Sequence, residues 1–518
     1  MEAEPSSLVH RRLRAPLESG QALIEPPLSS LPQLLAENRE RADQSLEELR
    51  RSARAELIQA AIAYTNTYRD VGVPQEIDAP LIMSGHQPEL FHAGVWIKNF
   101  VLSRAAADQR AIGINLIVDN DVCDSVAIRV PSGTRSSPVL ESVSFDAPTE
   151  QIPYEERPIV DEATFQSFPQ RATKTAAAWL KDSLVFDLWH EARQDRCMGE
   201  VIANARHRLE GIWGLSTLEI PLSTVFSQAG FRAFAARLLL DLRRFSEIYN
   251  SALIDYRVVN HIRSRSHPVP ELVADDGWLE APLWMWTTGE PRRKRLFVRR
   301  TGGQLELTDR AHIRELLPAA MESLPDALGR LEQHGIKLRP RALLTTMYAR
   351  LVLCDLFMHG IGGAKYDELT DAILARYFGV IPPHYLTATA TVTLPLDFSR
   401  VSSDELSAVQ HAVHELPFHA ERYLHDGAGT ELVQRKQALL KSIPPRGAKR
   451  AWHREVISIN EALLPLVVEE QQRLHEHAMR LTEQYRLTRS LGSREFSYCL
   501  FPNEFLRGLL LDLSGGKP

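Results

Sequence analysis

The sequence has few of the features that mark the more specialised classes of protein. Its 518 residues include four cysteines that share no C-x-x-C spacing, namely Cys123, Cys197, Cys354 and Cys499. So few scattered cysteines argue against a disulfide framework and against a paired-cysteine zinc site, and they favour a reducing, cytoplasmic location. No apolar run approaches the roughly 18 residues of a membrane span, and none follows the arginines near the amino terminus. We therefore expect neither a membrane segment nor a signal peptide.

Charge of one sign is not in excess either. The chain has 60 lysines and arginines against 66 aspartates and glutamates, which gives a net charge of −6 at pH 7. Because nucleic-acid-binding domains usually carry a basic excess, this balance argues against nucleic acid as a partner. Hydrophobic residues make up 44% of the chain, as in ordinary globular proteins. The composition predicts a folded, enzyme-like chain that acts on small molecules.

The common catalytic signatures are also missing. The sequence has no G-x-S-x-G, no H-E-x-x-H, and no P-loop. The candidate sites are therefore polar turns, which are judged by their position relative to predicted strands and helices.

Residues 81–124 have the pattern of a strand, a helix and a second strand. The segments 81–83 and 112–118 are apolar enough for buried strands, and 96–108 has the apolar spacing of an amphipathic helix. This order predicts a βαβ unit with a right-handed crossover, and therefore a parallel sheet. Ligands of such sheets bind outside the carboxyl ends of the strands, where the polar turns of this segment would lie.

The first candidate site is the turn after the first of these strands. It contains Gly85, His86 and Gln87, with Lys98 on the following helix. A glycine at this place lets the backbone approach a phosphate or carboxylate, and His86 could carry a proton or contact an anion. An ordinary strand-to-helix turn with a capped histidine is the alternative.

The second candidate is the acidic turn Asp119-Asn120-Asp121 after the second strand. Carboxylates one residue apart at a strand end can hold a divalent cation on nucleotide phosphates, because hard cations prefer several oxygen ligands. The same groups could bind an amine or a sugar hydroxyl. Asp and Asn are also common turn residues, so a purely structural turn is a third interpretation.

The third candidate is a glycine-rich loop before a predicted helix. It comprises Gly360, Gly362, Gly363, Lys365 and Tyr366. Glycines at this place permit close approach of a ligand, and the lysine and tyrosine would lie on the first helical turn. Packing between helices could explain the glycines equally well. The adjoining His359 follows an apolar run and is interpreted as a core residue.

The pattern divides the chain into three regions. They are an amino-terminal extension and helix (1–75), a core with insertions at about 125–215 and 265–335 (76–400), and a helical region (401–518). Within the core, the sheet is expected to resume with a strand at 341–344. In the last region the apolar residues Val467, Leu474, Ala478, Leu481 and Tyr485 follow a heptad spacing. This seam could pair two chains, or a helix between 403 and 440 could fold back and cover it.

The three turns, in this order, resemble those of the bacillithiol-biosynthesis cysteine-adding enzymes, the BshC family. The family motif G-Q-Q-x-x-L-F-T-G is matched by Gly85, Gln87, Leu90 and Phe91, and an E-D-H-D-like turn by residues 119–121. The motif G-P-G-E-x-x-Y is matched by residues 360–366, with an L-x-P element at 338–340 and a G-V-P-like turn at 379–382. The resemblance covers 80–125 and 338–395. Asn120 stands where the family has His, Gly363 where it has Glu, and Lys98 has a shifted spacing.

The resemblance implies an α/β fold with a Rossmann-like core, insertions, and a carboxyl-terminal coiled coil that forms a homodimer. It implies a ligase or transferase that joins cysteine to an amino-sugar malate conjugate. A nucleotide such as ATP or ADP, and a divalent cation, remain open as cofactors, and no dedicated metal site is expected. His86 would transfer a proton or contact an anion, Asp119 and Asp121 would orient an amine or hold a metal, and the glycine loop would cradle a carboxylate or phosphate.

Two other functions fit the same residues. The acidic turn could serve a metal-dependent nucleotide-sugar transferase as its D-x-D motif. Alternatively, the loss of the family's acidic residue at Gly363 could mark a coiled-coil scaffold without catalytic activity.

Overall fold

The computed structural model describes residues 13–72, 79–135, 137–192, 197–262, 269–425, 427–447 and 449–515. The first twelve residues, the predicted boundary at residue 75 and the predicted start of an insertion at about residue 265 lie outside the described residues. The chain forms two compact units. The first comprises Met1–Ser132, Glu141–Thr393 and Arg494–Pro518, and the second comprises Gly133–Leu140 and Leu394–Ser493.

The strands of the described residues are β1 (Gln21–Glu25), β2 (Leu81–His86), β3 (Ile112–Ile117), β4 (Ala127–Thr134), β5 (Ser137–Ser144), β6 (Leu218–Pro221), β7 (Ala274–Asp275), β8 (Trp278–Thr287), β9 (Glu290–Thr301), β10 (Gln304–Thr308), β11 (Arg314–Pro318), β12 (Ile336–Pro340), β13 (Leu356–His359) and β14 (Tyr385–Thr391).

The α-helices of the described residues are α1 (Leu31–Glu40), α2 (Glu47–Thr65), α3 (Ala93–Gln109), α4 (Glu162–Ala176), α5 (Val185–Glu191), α6 (Met198–Ile212), α7 (Leu222–Phe226), α8 (Ala229–Leu240), α9 (Leu242–Val259), α10 (Leu324–Gln333), α11 (Ala342–Tyr348), α12 (Ile361–Ile373), α13 (Ser403–Glu415), α14 (Thr430–Lys441), α15 (Lys449–Leu463), α16 (Val468–Leu491) and α17 (Asn503–Leu513).

The predicted α/β fold is confirmed, with a mixed sheet that contains parallel strands. The main sheet has the order β1-β14-β13-β2-β3-β6, and all neighbours pair in parallel except β1, which is antiparallel to β14. The predicted βαβ unit is formed by β2, α3 and β3. Every residue of β3 is buried, as its continuous apolar run indicated for a strand covered on both faces.

The chain builds this sheet outward from its centre. From β2 it adds β3 and then β6 on one side, and after the insertion it adds β13 and then β14 on the other side of β2. The loops that follow β2 and β13 therefore leave neighbouring strands at the same edge of the sheet. This is the edge to which the sequence assigned the candidate turns.

One strand was predicted in the wrong place. Residues 341–344 were expected to resume the sheet, but they form the start of α11, and the strand that pairs with β2 is β13. A short apolar run does not distinguish a strand from a buried helix, and this run continues through seven helical residues.

A second, antiparallel sheet is built from the insertion between α9 and α11. Its strand order is β11-β10-β9-β8-β12, with the short β7 also paired to β8. The first unit thus contains a parallel sheet and an antiparallel sheet, and both contribute side chains to the site described below.

Close packing holds α3 against the main sheet. A Cβ atom on Gly94 would lie 1.9 Å from the carbonyl oxygen of Ala390 in β14, so only glycine allows this approach. The loop before α3 is thereby fixed relative to β14. Of the first candidate turn, Gly85 and His86 are the last residues of β2, and Gln87 begins the connection to this helix.

The second unit consists of helices. Its small apolar core comprises Leu416, Ala420, Ile459, Leu463 and Val467. In this unit α13 packs along α16, and the remaining residues of the predicted seam, Leu474, Ala478, Leu481 and Tyr485, are half-buried. The sequence left open whether a helix of the same chain covers the seam. In the structure α13 covers part of it.

Residues 494–515, at the carboxyl-terminal end of the predicted third region, belong to the first unit. Ser497 forms a β-bridge with His92, and α17 packs against α3. In the described part of the chain, no helix combines the length and the apolar character that crossing a membrane requires.

Candidate functional site

A cleft of about 1090 Å³ opens in the first unit at the carboxyl ends of the parallel strands. It brings together most of the residues that the sequence singled out. These are Gly85, His86, Gln87, Lys98, Asn120, Asp121, Gly360, Gly362, Gly363 and Lys365. The three candidate turns thus form one site.

Two of the predicted residues do not line this cleft. Asp119 is 1% exposed, and its carboxylate accepts hydrogen bonds from the backbone N–H and the hydroxyl of Ser223. Burial, with a further contribution from nearby Glu155, raises the pKa of Asp119 to about 7. Its carboxylate therefore links β3 to α7 and is not placed to act on a ligand. Tyr366 packs against the hydrophobic core of the unit.

One ring nitrogen of His86 makes no hydrogen bond with the described residues. Its Nδ1 lies 2.9 Å from the carbonyl oxygen of Gln87, and a carbonyl can only accept, so Nδ1 carries the proton. Nε2 then has a lone pair, and no described residue donates a hydrogen bond to it. Burial and the neighbouring Lys98 lower the pKa of His86 well below its ordinary value, which keeps the ring neutral at pH 7.

Lys98 lies beside this histidine with an unusual protonation equilibrium. Its Nζ donates to the carbonyl oxygen of Gly85 over 2.7 Å. Burial, together with the charge of Arg206, lowers the pKa of Lys98 to about 7. Lys98 is therefore a mixture of ammonium and amine near neutral pH. The space beside Gly85 is tight, because a Cβ there would lie 3.1 Å from Cβ of Leu116.

Asp121 joins the first two candidate turns. Its Oδ2 accepts from Nε2 of Gln87 over 3.0 Å, and its Oδ1 accepts from Nη1 of Arg293 over 2.8 Å. Arg293 comes from β9 of the antiparallel sheet, and its guanidinium carbon lies 5.1 Å from the ring centre of Trp284. The insertion therefore contributes one wall of the cleft.

Arg341 adds a second guanidinium to this wall. Its carbon lies 4.4 Å from the ring centre of Trp284, and its Nη2 donates to Glu280 over 2.6 Å. The Nε and Nη1 atoms of Arg341 and the Oδ1 atom of Asn120 are buried and have no hydrogen-bond partner among the described residues. These two donors and one acceptor belong to cleft-lining residues, so polar groups of a ligand could satisfy them.

The glycine loop forms the start of α12. Gly360 is the N-cap residue, no side chain caps the helix, and its first turn contains no acidic residue. A Cβ on Gly360 or Gly362 would meet nothing within 4 Å, so the cleft is open at this point. The unpaired N–H groups of an uncapped helix start favour an anion, and the exposed Lys365 adds a positive charge.

Several residues that line the cleft were not predicted as site residues, among them His359, Arg293, Arg341 and Arg494. His359 directly precedes the glycine loop, and this position was the one available signal for it. The three arginines come from segments far apart in the chain, and only the folded structure brings them to the cleft.

The cleft has a strong excess of positive charge. Its cationic residues are Arg14, Lys98, Arg293, Arg341, Lys365 and Arg494, whereas its carboxylates are Asp121 and Glu495. This imbalance contrasts with the net negative charge of the chain. A cleft lined by one sign of charge raises the local concentration of ligands with the opposite sign. The site is therefore suited to an anion.

One group of possible metal ligands occurs among the described residues, and it is already engaged by the protein. It is formed by the buried His207, Glu210 and Glu219. Arg206 makes an ion pair with each of the two glutamates. The ring of His207 contacts the Tyr68 hydroxyl at 2.8 Å and the Thr217 carbonyl oxygen at 2.9 Å. The side chains form a buried polar network in which Arg206 supplies the positive charge that a metal would bring.

No protein-family model and no curated protein matches the chain. The chemistry of the cleft therefore has to follow from its own residues. It combines a basic lining for an anion with a histidine that is neutral at pH 7 and a lysine whose pKa is about 7.

Proposed function

We propose that the chain is a BshC-like ligase or transferase that joins cysteine, or a related amino compound, to an anionic amino-sugar-type acceptor in the cleft. The observation that carries the proposal is the cationic lining, with six lysines and arginines against two carboxylates. The malate group of the acceptor that the resemblance implies carries two carboxylates. Guanidinium groups bind carboxylates and phosphates through paired hydrogen bonds, so a nucleotide phosphate is the other anion that suits this lining.

His86 and Lys98 support the carbon–nitrogen bond-forming part of the proposal. An amine attacks only after it has lost a proton, and the best base for this step is unprotonated and has a pKa near the working pH. Lys98, with a pKa of about 7, meets both conditions, whereas burial leaves His86 unprotonated but weakly basic, and both residues line the cleft. His86 stays a candidate on geometric grounds, because its Nε2 makes no hydrogen bond with the described residues.

The topology supports a Rossmann-like core. Counted along the chain, the parallel strands lie in the order 3-2-1-4-5, which is the order of doubly wound sheets. In these sheets the ligand binds where the strand order reverses, and here this place is the gap between β2 and β13. His86 is the last residue of β2, and the glycine loop directly follows β13.

The two alternatives have less support. A D-x-D motif would hold a metal between its carboxylates, but Asp119 is bound to Ser223, and Asp121 is bound to Gln87 and Arg293. A scaffold without activity would be expected to fill its old cleft, whereas this cleft is open and contains buried polar atoms without partners among the described residues.

The cytoplasmic location and the homodimer stay part of the proposal. All four cysteines are free, which suits a reducing compartment. The seam of α16 is only partly covered by α13, and the half-buried remainder could contact a second chain through a coiled coil.

Ligand binding to two matched arginine variants tests the proposal. Arg293 lines the cleft, whereas the adjacent Arg292 is 61% exposed, pairs with Glu150 and does not line it. Calorimetry with an amino-sugar malate conjugate, cysteine, ATP and ADP should detect binding of the conjugate. Arg293→Ala should weaken this binding by about tenfold or more, the size of a lost charged hydrogen bond, and Arg292→Ala should not. Absence of binding by every anion, or equal effects of both variants, would overturn the proposal.

A further inference from the structure

A second histidine of the cleft is held by a buried carboxylate. His359 is the last residue of β13 and is 5% exposed, yet it lines the cleft. Its Nε2 lies 2.6 Å from Oδ2 of Asp367, which is on α12 and is 1% exposed. The same oxygen accepts from Nη1 of Arg350 over 2.8 Å. A histidine, an aspartate and an arginine thus form a chain that runs from the cleft into the interior.

The charge state of Asp367 determines which nitrogen of His359 carries the proton. Burial alone would raise the pKa of Asp367, but His359 and Arg350 outweigh burial and lower it well below its ordinary value. The carboxylate is therefore ionised and can only accept. Nε2 of His359 lies 2.6 Å from this ionised oxygen as an ion-pair contact, without the alignment of a hydrogen bond, so Nε2 is the ring nitrogen that carries a proton beside the carboxylate and Nδ1 is the nitrogen on the side of the cleft.

Gly363 keeps this Nδ1 atom accessible. A Cβ on Gly363 would lie 2.8 Å from Nδ1, closer than real Cβ atoms come to their neighbours. Since Asp367 holds the ring, the ring could not easily move aside. The exposed Gly363 stands where the BshC family has glutamate. Relative to that family, the glycine lacks an acidic group and leaves Nδ1 of His359 uncovered.

The alternative is that His359 is a satisfied core histidine. Its ring does pack between Phe357 and Tyr385, with ring centres 4.6 and 5.2 Å away. The two aromatic rings cover the faces of the imidazole, and Asp367 contacts Nε2. They do not account for Nδ1, which lies next to an exposed glycine at the open part of the cleft.

We propose that His359 is an acid–base group of the cleft and that Asp367 is its positioning residue. Nδ1 takes a proton from an N–H, S–H or O–H group of the bound ligand, and Asp367 balances the charge of the imidazolium. The same proton is then returned to the group that leaves or to the product, so the ring ends as it began. The identity of this ligand depends on the function proposed above. The contact of His359 with Asp367 and the access to its Nδ1 atom do not depend on that function.

Nuclear magnetic resonance of the ligand-free full chain tests the positioning role. In protein labelled with [¹⁵N]histidine, a ring N–H whose nitrogen lies 2.6 Å from an ionised carboxylate oxygen should give a ring-proton resonance downfield of the backbone amides. This resonance should disappear in His359→Gln and in Asp367→Asn. It should persist in Asp371→Asn, which removes a carboxylate that contacts Arg350 but not His359. Its absence from the wild type, or its persistence in Asp367→Asn, would overturn the positioning role.

Chemical modification tests whether a reagent can reach Nδ1 of His359. The two variants compared change exposed glycines, which disturbs the fold less than a change to the buried Asp367. Diethyl pyrocarbonate modifies unprotonated ring nitrogens, and peptide mass spectrometry gives the rate at His359. Gly363→Ala should slow this rate by about tenfold or more, since shifts of about 1 Å in a reacting atom have effects of this size. Gly362→Ala is the control, because its Cβ would enter open space. Equal rates in the wild type and both variants would contradict the proposal, even if ligand binding to the arginine-lined wall were demonstrated.

Discussion

Burial sets the protonation of several single residues in and beside the cleft. It lowers the pKa of Lys98 to about 7, lowers that of His86 well below its ordinary value, and raises that of Asp119 to about 7. Near pH 7, Lys98 is therefore partly unprotonated, whereas the ring of His86 is neutral. The sequence identified all three residues but could not distinguish them, because the difference lies in their partners. Asp119 is bound to Ser223, which is 104 residues away in the chain.

The raised pKa of Asp119 predicts a pH-dependent stability. The folded state holds a proton on Asp119 up to about pH 7, whereas the unfolded chain releases it near pH 4. The folded state thus binds more protons between these values, and the contribution of Asp119 to stability falls as the pH rises through this window. The variant Asp119→Asn has no carboxyl group to titrate, so it does not lose stability in this way. Its free energy of unfolding relative to the wild type should increase from pH 4 to 7 by on the order of 1 kcal/mol or more.

Urea denaturation at several pH values measures this difference. Asp124→Asn is the control, because Asp124 is exposed and lies in the same turn. A difference between Asp119→Asn and the wild type that stays constant with pH would show that Asp119 has an ordinary pKa.

At the scale of elements, the parts of the fold with a regular apolar pattern were predictable. The βαβ unit of β2, α3 and β3 was read from the sequence, because strands buried on both faces are continuously apolar. The cleft wall that contains Trp284, Arg293 and Arg341 could not be predicted from the sequence. These residues reach the cleft through the pairing of β8 with β9 and β12, and no local pattern specifies where such an inserted sheet packs.

The close packing of α3 on β14 predicts a cost for one added methyl group. Gly94→Ala would place Cβ 1.9 Å from the carbonyl oxygen of Ala390, so backbone must move. We expect a loss of about 1–3 kcal/mol in the free energy of unfolding, as for overpacked sites elsewhere. Gly508→Ala in α17 is the matched control, since its Cβ meets nothing within 4 Å. It should be neutral or gain about 0.5–1 kcal/mol from helix propensity.

Thermal and urea denaturation of the two glycine variants provide the comparison. Equal stabilities of Gly94→Ala and Gly508→Ala would mean that α3 does not approach β14 this closely.

At the scale of the whole molecule, assembly is the property that the heptad pattern left ambiguous. The spacing of Val467, Leu474 and Leu481 predicted a seam, and α13 of the same chain covers part of it. A heptad pattern indicates that a helix has an apolar side, but it does not indicate which helix packs against that side. The partly covered seam is therefore compatible with the proposed coiled-coil pairing but does not require it.

Light scattering on the full chain tests the proposed homodimer. At micromolar concentration we expect twice the mass of one chain, because the half-buried seam of α16 would be covered further by a partner. Leu474→Glu should reduce the mass to that of one chain, since a charge would enter the seam. The mass of a single chain for the wild type would exclude the dimer and assign the seam to the contact with α13 alone.

The central claim is that the cleft joins an amino compound to an anionic acceptor, and analysis of the reaction product tests it most directly. The purified chain should be incubated with cysteine and an amino-sugar malate conjugate, with and without ATP, and the mixture analysed by mass spectrometry. The account predicts a product with the summed mass of the two substrates less one water. It also predicts that His86→Gln forms this product about 100-fold more slowly or worse, as expected for loss of a general base. No condensation product under any condition, or equal rates for the wild type and His86→Gln, would contradict it.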